Sequence, residues 1–170
     1  MSEIQCGSFA YQCTEEVLIH CSPERAYEAL HRIAEWPRHL PHVRGIEVLY
    51  DDGTYQEFMM TVDSNGRPIN VRSVRRCEPH RSIGFFQPEC PAFLRHHGGS
   101  WEFQPAEPDR CKVITQHRWN LNPGVAQEMF PPTADATTEE RVASLLQEHA
   151  RLALTTWKQV LEAPAAGSEE

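Results

Sequence analysis

The chain has 170 residues, of which 40% are hydrophobic and 24% charged, and a formal net charge of −8. That length fits a single domain with a sizeable core and is short for two, and the composition is that of an ordinary globular protein. An acidic chain whose arginines are spread along it lacks the clustered basic surface that phosphate backbones require, and no apolar run approaches the roughly 20 residues needed to cross a bilayer.

Residues 1–8 read as a flexible terminus, and a strand-like run over 9–20 follows. Ser22-Pro23-Glu24 predicts a helix start, with a capping hydroxyl, a proline at the first helical position and an acid in the first turn. That helix extends to about Ile33 and buries Ala26, Leu30 and Ile33. Trp36-Pro37 and Leu40-Pro41 frame a second, short helix or turn, because each proline restricts the residue before it. Strands then come in quick succession, at 43–50 and 54–62, punctuated by Asp51-Asp52-Gly53 and the hairpin signal Ser64-Asn65-Gly66.

The next strand, 68–77, carries an anomaly. Alternation puts Ile69, Val71, Ser73, Arg75 and Cys77 on one face, apolar or small except for Arg75. An unpaired buried guanidinium costs several kcal/mol and cannot escape by losing its proton. Arg75 therefore either pairs with a buried carboxylate, snorkels out at the end of the sheet, or lines a cavity and meets a ligand.

The strand at 81–87 sets Ile83, Phe85 and Gln87 on one face, and a loop spans 88–97. Gly98-Gly99 releases that loop into a strand at 100–104, a turn covers 105–110, and a last strand runs over 111–121. There Val113, Thr115, His117, Trp119 and Leu121 share a face, so His117 is a second polar intruder: either a hydrogen-bonded core histidine or a proton-transfer group. After Asn122-Pro123-Gly124 a loop or short helix reaches Ala136. Thr137 and Glu140 then have capping-box spacing for a long helix ending near Ala163. Its apolar stripe reads Val142, Leu145, Leu146, Ala153, Trp157 and Val160, with His149 near the middle, and residues 164–170 read as a disordered tail.

The order predicts an α+β helix-grip fold over one domain, 9–163: a curved antiparallel sheet of about seven strands wrapped round a long C-terminal helix, with an internal cavity. The cysteines at 6, 13, 21, 77, 90 and 111 follow no signal-peptide pattern and form no close pair, which favours free thiols in a reducing cytoplasm. His39-x-x-His42 and His96-His97 lack a third ligand, so no metal is expected. No Gly-rich phosphate loop is present, and Ser73 has no general base nearby in sequence. The inward aromatics Trp36, Phe85, Trp101 and Trp119 are either cavity walls or plain core.

Over residues 14–162 the chain resembles the START-like superfamily, and within it the single-domain aromatases/cyclases of type II polyketide pathways. The resemblance rests on Trp36-Pro37, Asn65-Gly66 ahead of the strand bearing Ser73 and Arg75, Gly99-Ser100-Trp101-Glu102-Phe103, and Thr115-Gln116-His117-Arg118-Trp119. It implies catalytic roles for Arg75 and His117, the latter at a position that is histidine in members acting on reduced polyketides. A helix carboxylate that assists this histidine in such members has no counterpart: Ala153 stands nearest, with His149 one turn earlier. Ser73, Gln87 and His149 join the four aromatics as the implied substrate-contacting set.

The implied activity is regiospecific aldol cyclisation with dehydration of a carrier-bound poly-β-ketone, without a cofactor. Acyl carrier protein and ketosynthase components are the implied partners, and the chain itself would be a monomer or homodimer with no nucleic-acid or membrane partner. A lipid or isoprenoid carrier of the same fold is the alternative, and a co-chaperone-like module a third, with less use for a polar-lined cavity.

Overall fold

The computed structural model describes residues 8–64 and 66–164. The expected loose ends at 1–8 and 164–170 lie outside these, save Ser8 and Pro164, as do Cys6 and the Asn65 of the hairpin signal. Seven strands form one antiparallel sheet in the order β1-β7-β6-β5-β4-β3-β2, so every neighbour except β1·β7 is a hairpin. They are β1 (Tyr11–Ile19), β2 (Val43–Asp51), β3 (Tyr55–Ser64), β4 (Arg67–Glu78), β5 (Ser82–Glu89), β6 (Leu94–Ala106) and β7 (Arg110–Leu121). Helices α1 (Pro23–His31) and α2 (Trp36–His39), joined through a 3-10 turn at Ile33–Glu35, bridge β1 to β2. Helices α3 (Pro123–Met129) and α4 (Thr138–Glu162) close the chain.

The caps form as the residue types dictate. Ser22 accepts from the Arg25 N–H with Pro23 in the first turn, and Thr137 and Glu140 make both halves of the capping box that starts α4. Gly66 has φ +81°, the left-handed region that a tight hairpin turn demands.

Two apolar clusters lie at opposite ends of α4. One joins α1, α2 and the sheet to Leu154, Trp157 and Leu161; the other packs Phe93, Leu94, Trp119 and Ala126 on Val142 and Leu146. Between them the helix buries only a methyl group, that of Ala150. The helix rests mainly on β1 and β7, which leaves the inner face of β3–β6 free to line a cavity.

Two expectations are corrected here. The stretch 88–97 is no long loop: β5 continues to Glu89 and β6 begins at Leu94, because a hairpin with only Cys90 to Phe93 between strands suffices. His149 is exposed, since the stripe of α4 runs through Val142, Leu146, Ala150, Leu154, Trp157 and Leu161, about 100° away from it.

Candidate functional site

Register places the chemistry. One rung crosses six strands: Gln56 faces Arg75, Arg75 faces Phe85, Phe85 faces Gly99, Gly99 faces His117, and His117 faces Cys13. Arg75 and His117 thus share a row, three strand spacings or about 14 Å apart at Cα, and the concave sheet turns their side chains toward the same space. On one side of that rung lie Phe58 and Ser73, Gln87 and His97; on the other, Ile83 and Trp101.

The space is a cavity of about 110 Å³ lined by Trp36, Phe58, Met60, Ser73, Arg75, Phe85, Gln87, His97, Trp101 and His117. A larger groove of about 660 Å³ runs past Tyr11, Arg95, His96 and the start of α4, but none of the candidate residues lines it.

Arg75 is 4% exposed and meets no carboxylate in an ion pair among the described residues. Its Nη2 donates to the Leu30 carbonyl at 3.0 Å and the His31 carbonyl at 3.4 Å, the C-terminal end of α1, where the helix dipole is negative. Its guanidinium lies over the rings of Trp36 (5.6 Å) and Phe58 (5.8 Å). Burial pulls its pKa below the ordinary arginine value. Nε and Nη1 are buried and have no hydrogen-bond partner among the described residues. Of the alternatives for Arg75, the geometry leaves the cavity: a fixed cation held from behind, with donors to spare.

Helix α1 is in turn clamped to the sheet by Gln56, 2% exposed, whose Nε2 donates to the His31 carbonyl (2.9 Å) and to Asp51 (3.1 Å). The Trp36 Nε1 donates to the Leu30 carbonyl at 3.1 Å, so that oxygen receives both the indole and the guanidinium.

Across the rung, His117 Nδ1 lies 2.9 Å from His97 Nε2, and His97 Nδ1 lies 2.7 Å from Gln87 Oε1. The two imidazoles lie edge to edge and nearly coplanar, with 14° between their planes and 5.2 Å between centroids, and Phe85 packs edge-on to both. Burial, and then the neighbouring imidazole, lower His97 from 6.5 to about 3; burial, and then His149, lower His117 from 6.5 to about 4. Both are neutral at pH 7. The pKa of His149 too is lowered, by partial burial and then by the charge of His42.

The cavity gathers Trp36, Ser73, Arg75, Phe85, Gln87, Trp101 and His117 from the sequence-predicted set. It does not gather Trp119, which stacks on Tyr11 within the second apolar cluster, or His149, which stays exposed on α4. Phe58, Met60 and His97 were missed. Extending the alternation of Trp101 and Phe103 backward through Gly99 would have reached His97.

No metal-ligating group of three side chains occurs among the described residues. No helix there is long and apolar enough to cross a membrane.

A family model described as polyketide cyclase/dehydrase and lipid transport matches residues 19–145. The chain is 31% identical over 141 residues to the actinorhodin polyketide synthase bifunctional cyclase/dehydratase of Streptomyces coelicolor, a match covering 75% of this chain and 43% of that protein. Among solved structures it is similar to the di-domain ARO/CYC BexL from the BE-7585A biosynthetic pathway, with TM-score 0.79, 26% identity and coverage of 91% of this chain and 51% of that one. It is also similar in fold to the Zhui aromatase/cyclase from Streptomyces sp. R1128, with TM-score 0.76, 21% identity and coverage of 92% and 98%. The chain therefore spans less than half the length of the curated relative and about half of the di-domain structure.

Proposed function

The chain belongs to the polyketide cyclase/dehydrase and lipid transport family, and on that premise we propose that it closes and dehydrates a ring in a carrier-bound poly-β-ketone. One observation carries the reading: Arg75, buried and short of partners, shares a cross-sheet rung and a cavity with His117.

The chemistry follows from the two groups. A methylene between two carbonyls is acidic, and more so when a cation withdraws electron density from one of the oxygens. His117, neutral at pH 7, takes a methylene proton; the enolate carbon attacks a ketone carbon, forming the new C–C bond and an alkoxide. The free N–H groups of Arg75 meet that oxygen, and a well-placed donor in such a site contributes about 3–4 kcal/mol. The imidazolium of His117 returns that proton to the alkoxide, giving a hydroxyl and a neutral ring. His117 then takes a second proton from the neighbouring carbon, the C–O bond breaks, and the same proton completes a water with the departing hydroxide. A protonated His117 is a strong acid because its pKa is low, which suits the final step. Trp36, Phe58, Phe85 and Trp101 hold the chain bent in one register and keep bulk water out, while Ser73 supplies a hydroxyl near Arg75.

Ring closure and loss of water leave the oxidation level unchanged, so the reaction calls for no redox cofactor. Delivery by an acyl carrier protein, and a cytoplasmic setting in keeping with the unpaired thiols of the described cysteines, belong to the same reading.

Product profiling tests it. A minimal polyketide synthase supplies nascent chains to wild type, Arg75→Ala and His117→Ala. The expected outcome is that wild type redirects spontaneous products to one ring pattern, and that Arg75→Ala and His117→Ala each lose both ring closure and dehydration while remaining folded. A wild type that changes no product across several chain lengths and co-purifies with a lipid would overturn the enzyme in favour of a carrier.

A further inference from the structure

Three consecutive strands each contribute one polar side chain to a line across the cavity wall: Gln87 from β5, His97 from β6 and His117 from β7. His97 reaches His117 diagonally, because Gly99 stands directly opposite His117 and presents no side chain there. Gln87 Oε1 can only accept, so the proton it meets at 2.7 Å is on His97 Nδ1. A neutral His97 then carries its lone pair on Nε2, and the 2.9 Å contact requires that His117 Nδ1 be the donor. No hydrogen bond engages His117 Nε2 among the described residues.

We propose that His97, oriented by Gln87, is a positioning residue that locks His117 in its Nδ1–H tautomer and leaves the Nε2 lone pair facing the cavity as the base. The direction matters, since imidazole in water favours the other tautomer, in which Nε2 carries the proton and cannot accept one. The depressed pKa values of both rings fit the neutral states that the line requires. The other titratable groups around the pair are Cys13 on β1 and His149 on α4, and His149 in turn feels the charge of His42 ahead of β2. None of them makes a hydrogen bond to either ring nitrogen of His117 among the described residues. Gln87, expected from sequence to touch substrate, is here assigned to the histidine behind it.

The use of this lock rests on the cyclase reading, but its existence does not. Long-range proton–nitrogen correlation spectra of the full chain, labelled with 15N-histidine and free of substrate at pH 7.5, read each tautomer directly. Wild type should show a protonated Nδ1 and an unprotonated Nε2 for both His97 and His117. Gln87→Met and His97→Phe should each shift His117 toward the Nε2–H form. His97→Phe should lower turnover about ten- to hundredfold with KM little changed, the usual cost of losing a group that orients a working imidazole. His97→Gln, whose carbonyl can accept from Nδ1, should recover part of it. A wild-type His117 protonated on Nε2 overturns the proposal whatever the activity, and so does an unchanged His117 tautomer in both variants. If the spectra are as expected and no ring closure is found, the lock stands and the cyclase reading falls. Should His97→Phe fail to fold, the wild-type and Gln87→Met spectra still decide.

Discussion

Burial of two imidazoles ties the stability of this protein to acid. With folded pKa values near 3 for His97 and 4 for His117, against an ordinary 6.5, the unfolded chain binds protons that the native one refuses across that interval. The contribution is complete above about pH 6.5 and is lost as pH falls toward 4 for His117 and toward 3 for His97, at up to about 1.4 kcal/mol per pH unit for each ring. His42 and His149, also lowered by burial, act in the same direction. Urea unfolding at pH 7, 6 and 5 should therefore show uptake of two or more protons near pH 5, and His97→Gln should reduce it by about one. A flat profile would mean that the rings are solvated. Gly99 gives a second test at this scale. A Cβ there would overlap the Gln116 carbonyl oxygen and lie 2.9 Å from the Phe85 ring, so neither backbone nor ring can yield cheaply. Gly99→Ala should destabilise by about 3 kcal/mol, the upper end for overpacking, and should broaden the His117 resonances by disturbing its rung.

Among the elements, α4 shows what residue order conveys and what it conceals. Its start was legible because Thr137 and Glu140 declare a capping box by type and spacing, and Thr137→Ala should cost about 1 kcal/mol, seen as a lower urea midpoint at unchanged slope. The exact face was not legible. A stripe weighted by large side chains passes through His149, whereas the buried line follows Ala150, whose single methyl group adds little to any hydrophobic count. The same cause hid the first half of β6. A strand whose inner face is His97 and Gly99 does not alternate apolar with polar, so Gly98-Gly99 and the nearby prolines read as loop. The inward placement of Arg75 and His117 was readable from simple period-2 alternation, since each breaks an otherwise apolar set. Trp119 obeyed the same alternation and stands opposite the cavity residue His97, yet its ring packs on Tyr11 in the second apolar cluster, a distinction that no single strand's pattern conveys.

Across the molecule, the two apolar clusters supply the stability, and the strip between them is given over to polar groups. The sheet registers make that division possible, because hairpins of fixed length bring the intruders of β4, β5, β6 and β7 onto neighbouring rungs. The two unpartnered nitrogens of Arg75 have a consequence for the empty protein as a whole. A buried donor without an acceptor destabilises by about 1–3 kcal/mol, more when charged, and an occupant offering a carbonyl or an anion would remove that penalty. The protein should thus be at its least stable when vacant, and its melting temperature should report loading. Arg75→Met, similar in length and uncharged, should melt higher than wild type when both are empty. It should gain nothing from a β-diketone that raises the wild-type midpoint by several degrees. Selection for thermal resilience alone would erase this arginine; its presence marks a fold tuned to be completed by what it binds.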